Sequence, residues 1–310
     1  MFFSVFKQIA LMLLFVFFGY FVMRVGKAPN DASKIFSKVE KNFVLPIYLF
    51  LSLMNNFTFE KLKENLRLVI IGIVLVILAV IIGTACSFIV CKTPKNRNVF
   101  WYAFTLSNYG YFGYPLIEAV FGAEVKAIMV MIAIPYMIFN YSIAVRILEG
   151  KREKTKHKVN IPMTLVGLFF GILAGLFMSS KAKDITNGLL IGISSCMSPM
   201  AMVLLGMSLG SLPFKKIFTS SKSYLVSFIR LLVIPYLVFL VAHLVGLRGY
   251  ELLIVTLLPA MPVGMNIVVF YKGEEKDRYV GAQSCFLSVI LCLLTIPFVA
   301  MIVTQVFGIV

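Results

Sequence analysis

Charge is what this sequence has least of. Only 14% of its 310 residues are Asp, Glu, Lys or Arg, and 60% are hydrophobic. A soluble domain carries about 25% charged residues, so a soluble chain this apolar could not cover its own surface. Histidine is nearly absent, with two copies, and the five cysteines have no metal-type spacing. Cys86, Cys91, Cys196, Cys285 and Cys292 lie in or beside apolar stretches and read as packing residues. No phosphate loop, metal-spaced ligand set or nucleophile with a plausible base is present, which argues against an enzyme and against a resident cofactor. Gly/Ser linkers, long charged tails and low-complexity segments are also missing, so no appended soluble domain is expected. The apolar run 3–23 follows no small-x-small cleavage pattern and is long enough to span, so it reads as a helix and not as a signal peptide.

What the chain has is a succession of apolar stretches of about 20 residues, the length that crosses a bilayer. Breaking it at its polar punctuation gives ten spans, near 3–23, 36–54, 66–91, 99–121, 125–147, 162–180, 186–210, 221–245, 250–271 and 279–307. Glu40 and Lys41 crowd the start of the second. The net charge of +16 reads as Lys and Arg held against anionic headgroups, with lipid and not nucleic acid as the partner. Odd-numbered connections carry 20 of the 29 Lys and Arg, against 8 in the even connections and termini. The positive-inside rule then predicts a multi-pass protein of the plasma or inner membrane with both termini outside.

Five spans fall on each side of the basic loop 149–160, and the two sets have opposite starting sides. Proline marks corresponding places in both. Pro46 and Pro199 fall in the second helix of each half, Pro115 and Pro262 in the fourth, and Pro135 and Pro297 in the fifth, at offsets of 153, 147 and 162 residues. The sequence therefore predicts an all-α membrane protein, with ten transmembrane helices as two inverted five-helix repeats, 1–148 and 161–310. Inverted repeats of this kind mark secondary transporters whose site lies where broken helices meet.

The fourth span contains Ser107-Asn108-Tyr109-Gly110-Tyr111-Phe112-Gly113-Tyr114-Pro115, and the ninth contains Pro259-Ala260-Met261-Pro262-Val263-Gly264-Met265-Asn266. Glycine, asparagine and proline at this density break a helix. In hydrocarbon the freed backbone groups need protein or a watered cavity around them. The topology places a half-helix N-terminus near the midplane at each break, around Pro115 and around Gly264 to Asn266. Each such end presents unpaired N–H groups and about half a positive charge. With Asn108 and Asn266 adding amide donors, the arrangement favours an anion, most simply a carboxylate. The competing reading is a pair of packing kinks whose asparagines bond to neighbouring helices.

These residues resemble the auxin efflux carrier family. Asn108 to Leu116 with Phe121-Gly122 looks like its fourth-helix motif, Pro259-Ala260-Met261-Pro262 with Asn266 like its ninth-helix crossover, and Pro199 with Gly206-Met207-Ser208-Leu209 like its seventh-helix signature. The resemblance runs the full length and implies a bacterial-type permease. It implies a scaffold of helices 1, 2, 6 and 7 and a transport domain of helices 3–5 and 8–10, with broken crossover helices 4 and 9, elevator-like movement and a homodimer. Implied substrates are organic anions such as malate, malonate or an auxin-like acid, with Asn108 as a carboxylate contact. The chain departs from the plant carriers in lacking their long cytoplasmic loop.

The expected binding set is Asn108, Tyr109, Gly110, Gly113, Pro115, Pro262, Gly264 and Asn266, with Asn140 in the fifth span as a further lining candidate. Glu118, one turn past Pro115, is the candidate for coupling to H+ or Na+, or else a residue that suits the helix dipole. Arg230 in the eighth span either neutralises substrate or snorkels to the headgroups. The function expected is a secondary active transporter of a small organic anion working by alternating access. The alternatives are a sodium-coupled symporter of bile-acid type and a non-transporting membrane receptor.

Overall fold

A computed structural model describes residues 2–29, 31–91, 97–150, 162–210, 214–271 and 273–306. Lys92, Lys95 and residues 151–160 of the basic loop lie outside the described residues. The described chain is helical, and its sole β-type pairing is an isolated bridge between Ser107 and Val263. Six helices, Phe6–Arg24, Leu66–Val90, Ala123–Glu149, Ser180–Gly210, Ser221–Leu244 and Asp277–Thr304, are long and apolar enough to cross a membrane. Met163–Phe177 and Gly249–Ala260 are shorter apolar helices.

Side chains on these helices sort by environment in the way a bilayer demands. Ile70, Ile73, Val74, Ile77 and Ile81 of Leu66–Val90 stay exposed, while Leu68, Gly72, Leu75, Val76 and Ala79 are buried. An exposed face made of isoleucine and valine would be an aggregation hazard in water and suits lipid.

Packing runs in long pairs. Phe2–Arg24 lies along Met197–Gly210, and Met163–Phe177 lies along Leu45–Asn56. Leu66–Val90 runs beside both Arg97–Thr105 and Ala123–Phe139, while Ile234–Leu244 packs on Gly249–Ala260 and Ser221–Phe228 on Glu275–Val306. The first pair depends on small residues. A Cβ on Gly206 would stand 1.9 Å from the Val16 carbonyl oxygen, and one on Gly19 would stand 2.1 Å from that of Val203. Membrane helices associate through such backbone approach, because lipid supplies no hydrophobic drive between them.

Prolines shape the interior of several helices through π turns. Glu40–Val44, Tyr109–Gly113 and Ile229–Val233 are each one widened turn, with Pro46, Pro115 and Pro235 two residues beyond. Proline offers no N–H and its ring crowds the carbonyl four residues back. A wider turn moves that carbonyl aside without ending the helix. Pro135 and Pro297 sit inside helices.

Two expected boundaries shift. The second span does not begin at residue 36 with Glu40 at its edge; helix starts at Ala32 and runs through the π turn to Asn56, which puts Glu40 in the interior, fully buried. The seventh begins at Ser180 and not 186, because Ser179 caps it by accepting from the Ala182 N–H, so polar residues assigned to a loop are helical.

Candidate functional site

Helix stops at Thr105 and resumes at Tyr109; it stops again at Ala260 and resumes at Asn266. The two interruptions lie side by side and satisfy each other. Asn108 N–H donates to the Pro262 carbonyl at 2.8 Å, and Gly264 N–H donates to the Leu106 carbonyl at 3.1 Å. Val263 N–H donates to Ser288 Oγ at 3.0 Å. Gly264 suits this approach, since a Cβ there would stand a tight 3.0 Å from the Leu106 oxygen and the Tyr102 ring. The Asn108, Val263 and Gly264 N–H groups freed by the breaks are thus paired within the protein.

The two restarts differ. The first begins at Tyr109, six residues before Pro115, and continues through Tyr114–Phe121. Its first-turn N–H groups, those of Tyr109, Gly110 and Tyr111, have no acceptor within the helix. The carbonyl of Asn108 accepts from Phe112 and Gly113, and the Tyr111 carbonyl, freed by Pro115, accepts from Ser198 Oγ. The second restart, Asn266–Phe270, is five residues long, too short to build much of a helix dipole.

Around the breaks is a buried polar cluster. Tyr102 Oη donates to Asn140 Oδ1 at 2.6 Å, and Asn266 Nδ2 donates to Tyr102 Oη at 2.8 Å and to Asn140 Oδ1 at 3.3 Å. Tyr111 Oη lies 3.5 Å from Asn266 Oδ1. Asn140 and Asn266 therefore spend their amides on this network. Asn108 does not: it is 2% exposed, and neither its Nδ2 nor its Oδ1 has a hydrogen-bond partner among the described residues. The hydroxyls of Ser107, Tyr48, Tyr109 and Tyr114 are buried and unpartnered in the same region.

Asn108, Ser107, Tyr48 and Tyr109, with Tyr102, Asn140 and Asn266, line a small pocket of about 10 Å³ between the breaks, room for about one water. Tyr48, Gly110 and Met197 line it and also line a larger cavity of about 380 Å³ bounded by Asn55, Tyr114, Pro115 and Ser194. Glu118 and Lys126 stand in the lining of that larger cavity and pair at 2.6 Å, with Glu118 about half exposed. The acid expected inside the membrane is accordingly an ion-paired residue of the open cavity. Gly110 has free space on its pocket side, with Met197 Cε the nearest atom to an added Cβ at 3.6 Å. Gly113 instead packs against Met129 and Met261.

Arg230 is fully buried in the turn Ile229–Val233 and borders neither space. Its Nη1 donates to the Phe104 carbonyl at 2.6 Å, one of the last carbonyls before the first break. A cation there offsets the negative end of Arg97–Thr105, so Arg230 supports the break from behind. Of the expected residues, the structure brings Asn108, Tyr109, Gly110, Gly264, Asn266 and Asn140 to one pocket, leaves Pro115 in the outer cavity, and places Pro262 in the backbone pairing. Sequence reasoning missed Tyr48, Tyr102, Tyr111 and Ser198. The tyrosine-rich run at 109–114 was the available signal for one of them.

A membrane transport protein family, that of the auxin efflux carriers, matches residues 4–165 and 164–300, and so takes in both breaks. The chain belongs to this family. It is 25% identical over 300 residues to an uncharacterized transporter of Methanocaldococcus jannaschii, covering 93% of this chain and 95% of that one. It is 24% identical over 293 residues to an uncharacterized transporter of Methanothermobacter thermautotrophicus, covering 92% and 94%. As a family member with several apolar spanning helices, the protein is a multi-pass membrane transporter. Among the described residues no group of three or more His, Cys, Asp or Glu is placed to hold a metal ion.

Proposed function

We propose that the protein is a secondary transporter of a small organic anion, a mono- or dicarboxylate, which binds between the two breaks and crosses by alternating access. The observation that carries this reading is the Asn108 amide, buried without a partner among the described residues at the start of a half-helix whose first-turn N–H groups have no acceptor within the helix. Buried polar groups are almost always hydrogen-bonded, and exceptions point to a missing ligand. Donors are at hand here: the amide Nδ2, the first-turn N–H groups that no helical carbonyl reaches, and the hydroxyls of Tyr48 and Tyr109. A carboxylate, which only accepts, fits that set.

The ten-span plan is supported by the six long spans when the two interrupted helices, Met163–Phe177 and the helix through Leu45–Asn56 are counted beside them. Its pairing of first with seventh and second with sixth helices supports a scaffold set apart from a moving bundle. The pocket of about 10 Å³ is too small for a carboxylate, so binding requires Tyr48, Gly110 and Met197 to part, and the cavity of about 380 Å³ beyond them is the entry.

A thermal-shift screen of the purified protein against mono- and dicarboxylates, with and without sodium, tests this. One acid class should raise the melting temperature of the wild type. Asn108→Ala should bind that acid on the order of 10- to 100-fold more weakly, as loss of a hydrogen bond to a charged group predicts. Absence of stabilisation by any carboxylate would refute the reading.

A further inference from the structure

Glu40 is the acid that the transport reading leaves unused. It is 0% exposed, lies in the π turn Glu40–Val44 at the heart of a helix, and neither carboxylate oxygen makes a hydrogen bond of normal geometry. Among the described residues no Lys, Arg or His forms an ion pair with it. The hydroxyls of Tyr111 and Tyr141 stand beside it. The other titratable groups on adjoining elements point elsewhere. Lys34 and Lys38 are exposed, Lys41 pairs with Glu149 at 2.8 Å, and Tyr48 faces the pocket. Met163–Phe177, Met197–Gly210 and Asn266–Phe270, which also pack on this turn, carry no titratable side chain.

A fully buried carboxylate with no counter-charge is the one form such a site cannot hold, so the acid is carried there neutral. Its neighbour Tyr111 reaches 3.5 Å from Asn266 Oδ1, at the wall of the anion pocket. We infer that Glu40 is the proton-binding group of the transport cycle, taking up one proton together with each anion and releasing it to water when its turn is opened. This rests on the anion-transport reading above.

The step involves only the Glu40 O–H bond: a proton joins a carboxylate oxygen from water on one side and returns to water on the other. Neutral Glu40 leaves the Tyr111 hydroxyl to the Asn266 amide. Ionised Glu40 would draw that hydroxyl to itself and place a negative charge next to a pocket built for an anion. Anion and proton therefore favour each other's binding, and the coupling is reciprocal. The tyrosines here serve as hydrogen-bonding partners and not as proton carriers.

Two measurements on the purified full-length protein decide this. Infrared spectroscopy at neutral pH should show the C=O stretch of a protonated carboxylic acid in the wild type, missing from Glu40→Gln. An identical spectrum in both proteins overturns the proposal whether or not any substrate is known. Malate and indole-3-acetate binding, followed by thermal shift between about pH 7 and 9 where both acids are ionised, gives the second. Wild-type affinity should fall with rising pH, approaching tenfold per unit for one linked proton. Glu40→Gln should bind as well as the wild type at its best pH, with no slope. A wild-type slope retained in Glu40→Gln overturns the proposal. If the wild type binds no anion at any pH, the transport reading fails, and the infrared band still decides whether Glu40 holds a proton. Should Glu40→Gln not fold, Glu40→Met, apolar and of similar length, replaces it in both measurements.

Discussion

Asn108 and Asn266 occupy equivalent-looking places in the sequence, each beside a break, yet the structure gives them opposite occupations. Asn266 is locked to Tyr102 and Asn140, and the Asn108 amide has no hydrogen-bond partner among the described residues. Removing Asn266 leaves Tyr102 and Tyr111 short of a partner in a dry interior, at about 1–3 kcal/mol. Asn266→Ala should therefore melt clearly below the wild type, whereas Asn108→Ala should keep the wild-type melting temperature and lose ligand response. If both variants melt alike, the distinction between a structural and a binding asparagine is wrong. The three asparagines were legible because an amide is conspicuous in an apolar span. Tyr109 was legible inside its motif, but Tyr48, Tyr102 and Tyr111 were not, since a tyrosine in a membrane chain ordinarily reads as an interfacial ring. Their partners also lie far away in sequence, with Tyr102 separated from Asn266 by 164 residues. Glu40 was hidden by Lys41, which made the pair look like a polar span edge; only the helix start at Ala32 moves it inside.

At the scale of the element, the proline pattern does not reveal the form that each proline imposes. Pro46, Pro115 and Pro235 do not end their helices; each follows a widened turn that accommodates the ring. Hydrophobic patterning cannot reveal this, because an α turn and a π turn expose nearly the same apolar surface to lipid. The breaks themselves were legible, since glycine and asparagine accumulate there beyond what any packed helix tolerates. Close helix contacts give a sharper test. At Gly206 the obstacle to a side chain is the Val16 backbone, which cannot rotate away. Overpacking costs about 1–3 kcal/mol where side chains can adjust, and here they cannot. Gly206→Val should lose the monodisperse peak in size-exclusion chromatography, while Gly192→Val, with nothing near its Cβ, should keep it.

Across the whole molecule, the two ends of the helix that runs from Ala32 to Asn56 are held differently. Asn55, at one end, lines the larger cavity with Ser194. Toward the other, Lys41 bridges to Glu149 at 2.8 Å and lies 4.4 Å over the Phe270 ring, and Ser37 Oγ donates to the Val269 carbonyl at 3.0 Å, which closes that end. The charge distribution predicts that the cavity side is the outer side. In a cysteine-free background, Asn55→Cys should react with a membrane-impermeant maleimide added to intact cells. Reaction confined to inside-out vesicles would reverse the orientation. Breaking the opposite closure with Lys41→Glu should weaken outward labelling of Asn55→Cys, and adding Glu149→Lys should restore it.

The paired backbone of the two breaks has a mechanical meaning. Leu106 and Gly264, and likewise Asn108 and Pro262, are fastened across the middle of the protein by one hydrogen bond each, in opposite directions. Shearing one strand past the other would sever both at once, so the two segments translate together or not at all. Hydrogen–deuterium exchange should report them as a single body, with the Asn108 and Gly264 amides exchanging at one common slow rate through every stage of turnover. A ligand lodged against them would then meet one face that keeps its shape while Tyr48 and Met197 move aside on the other.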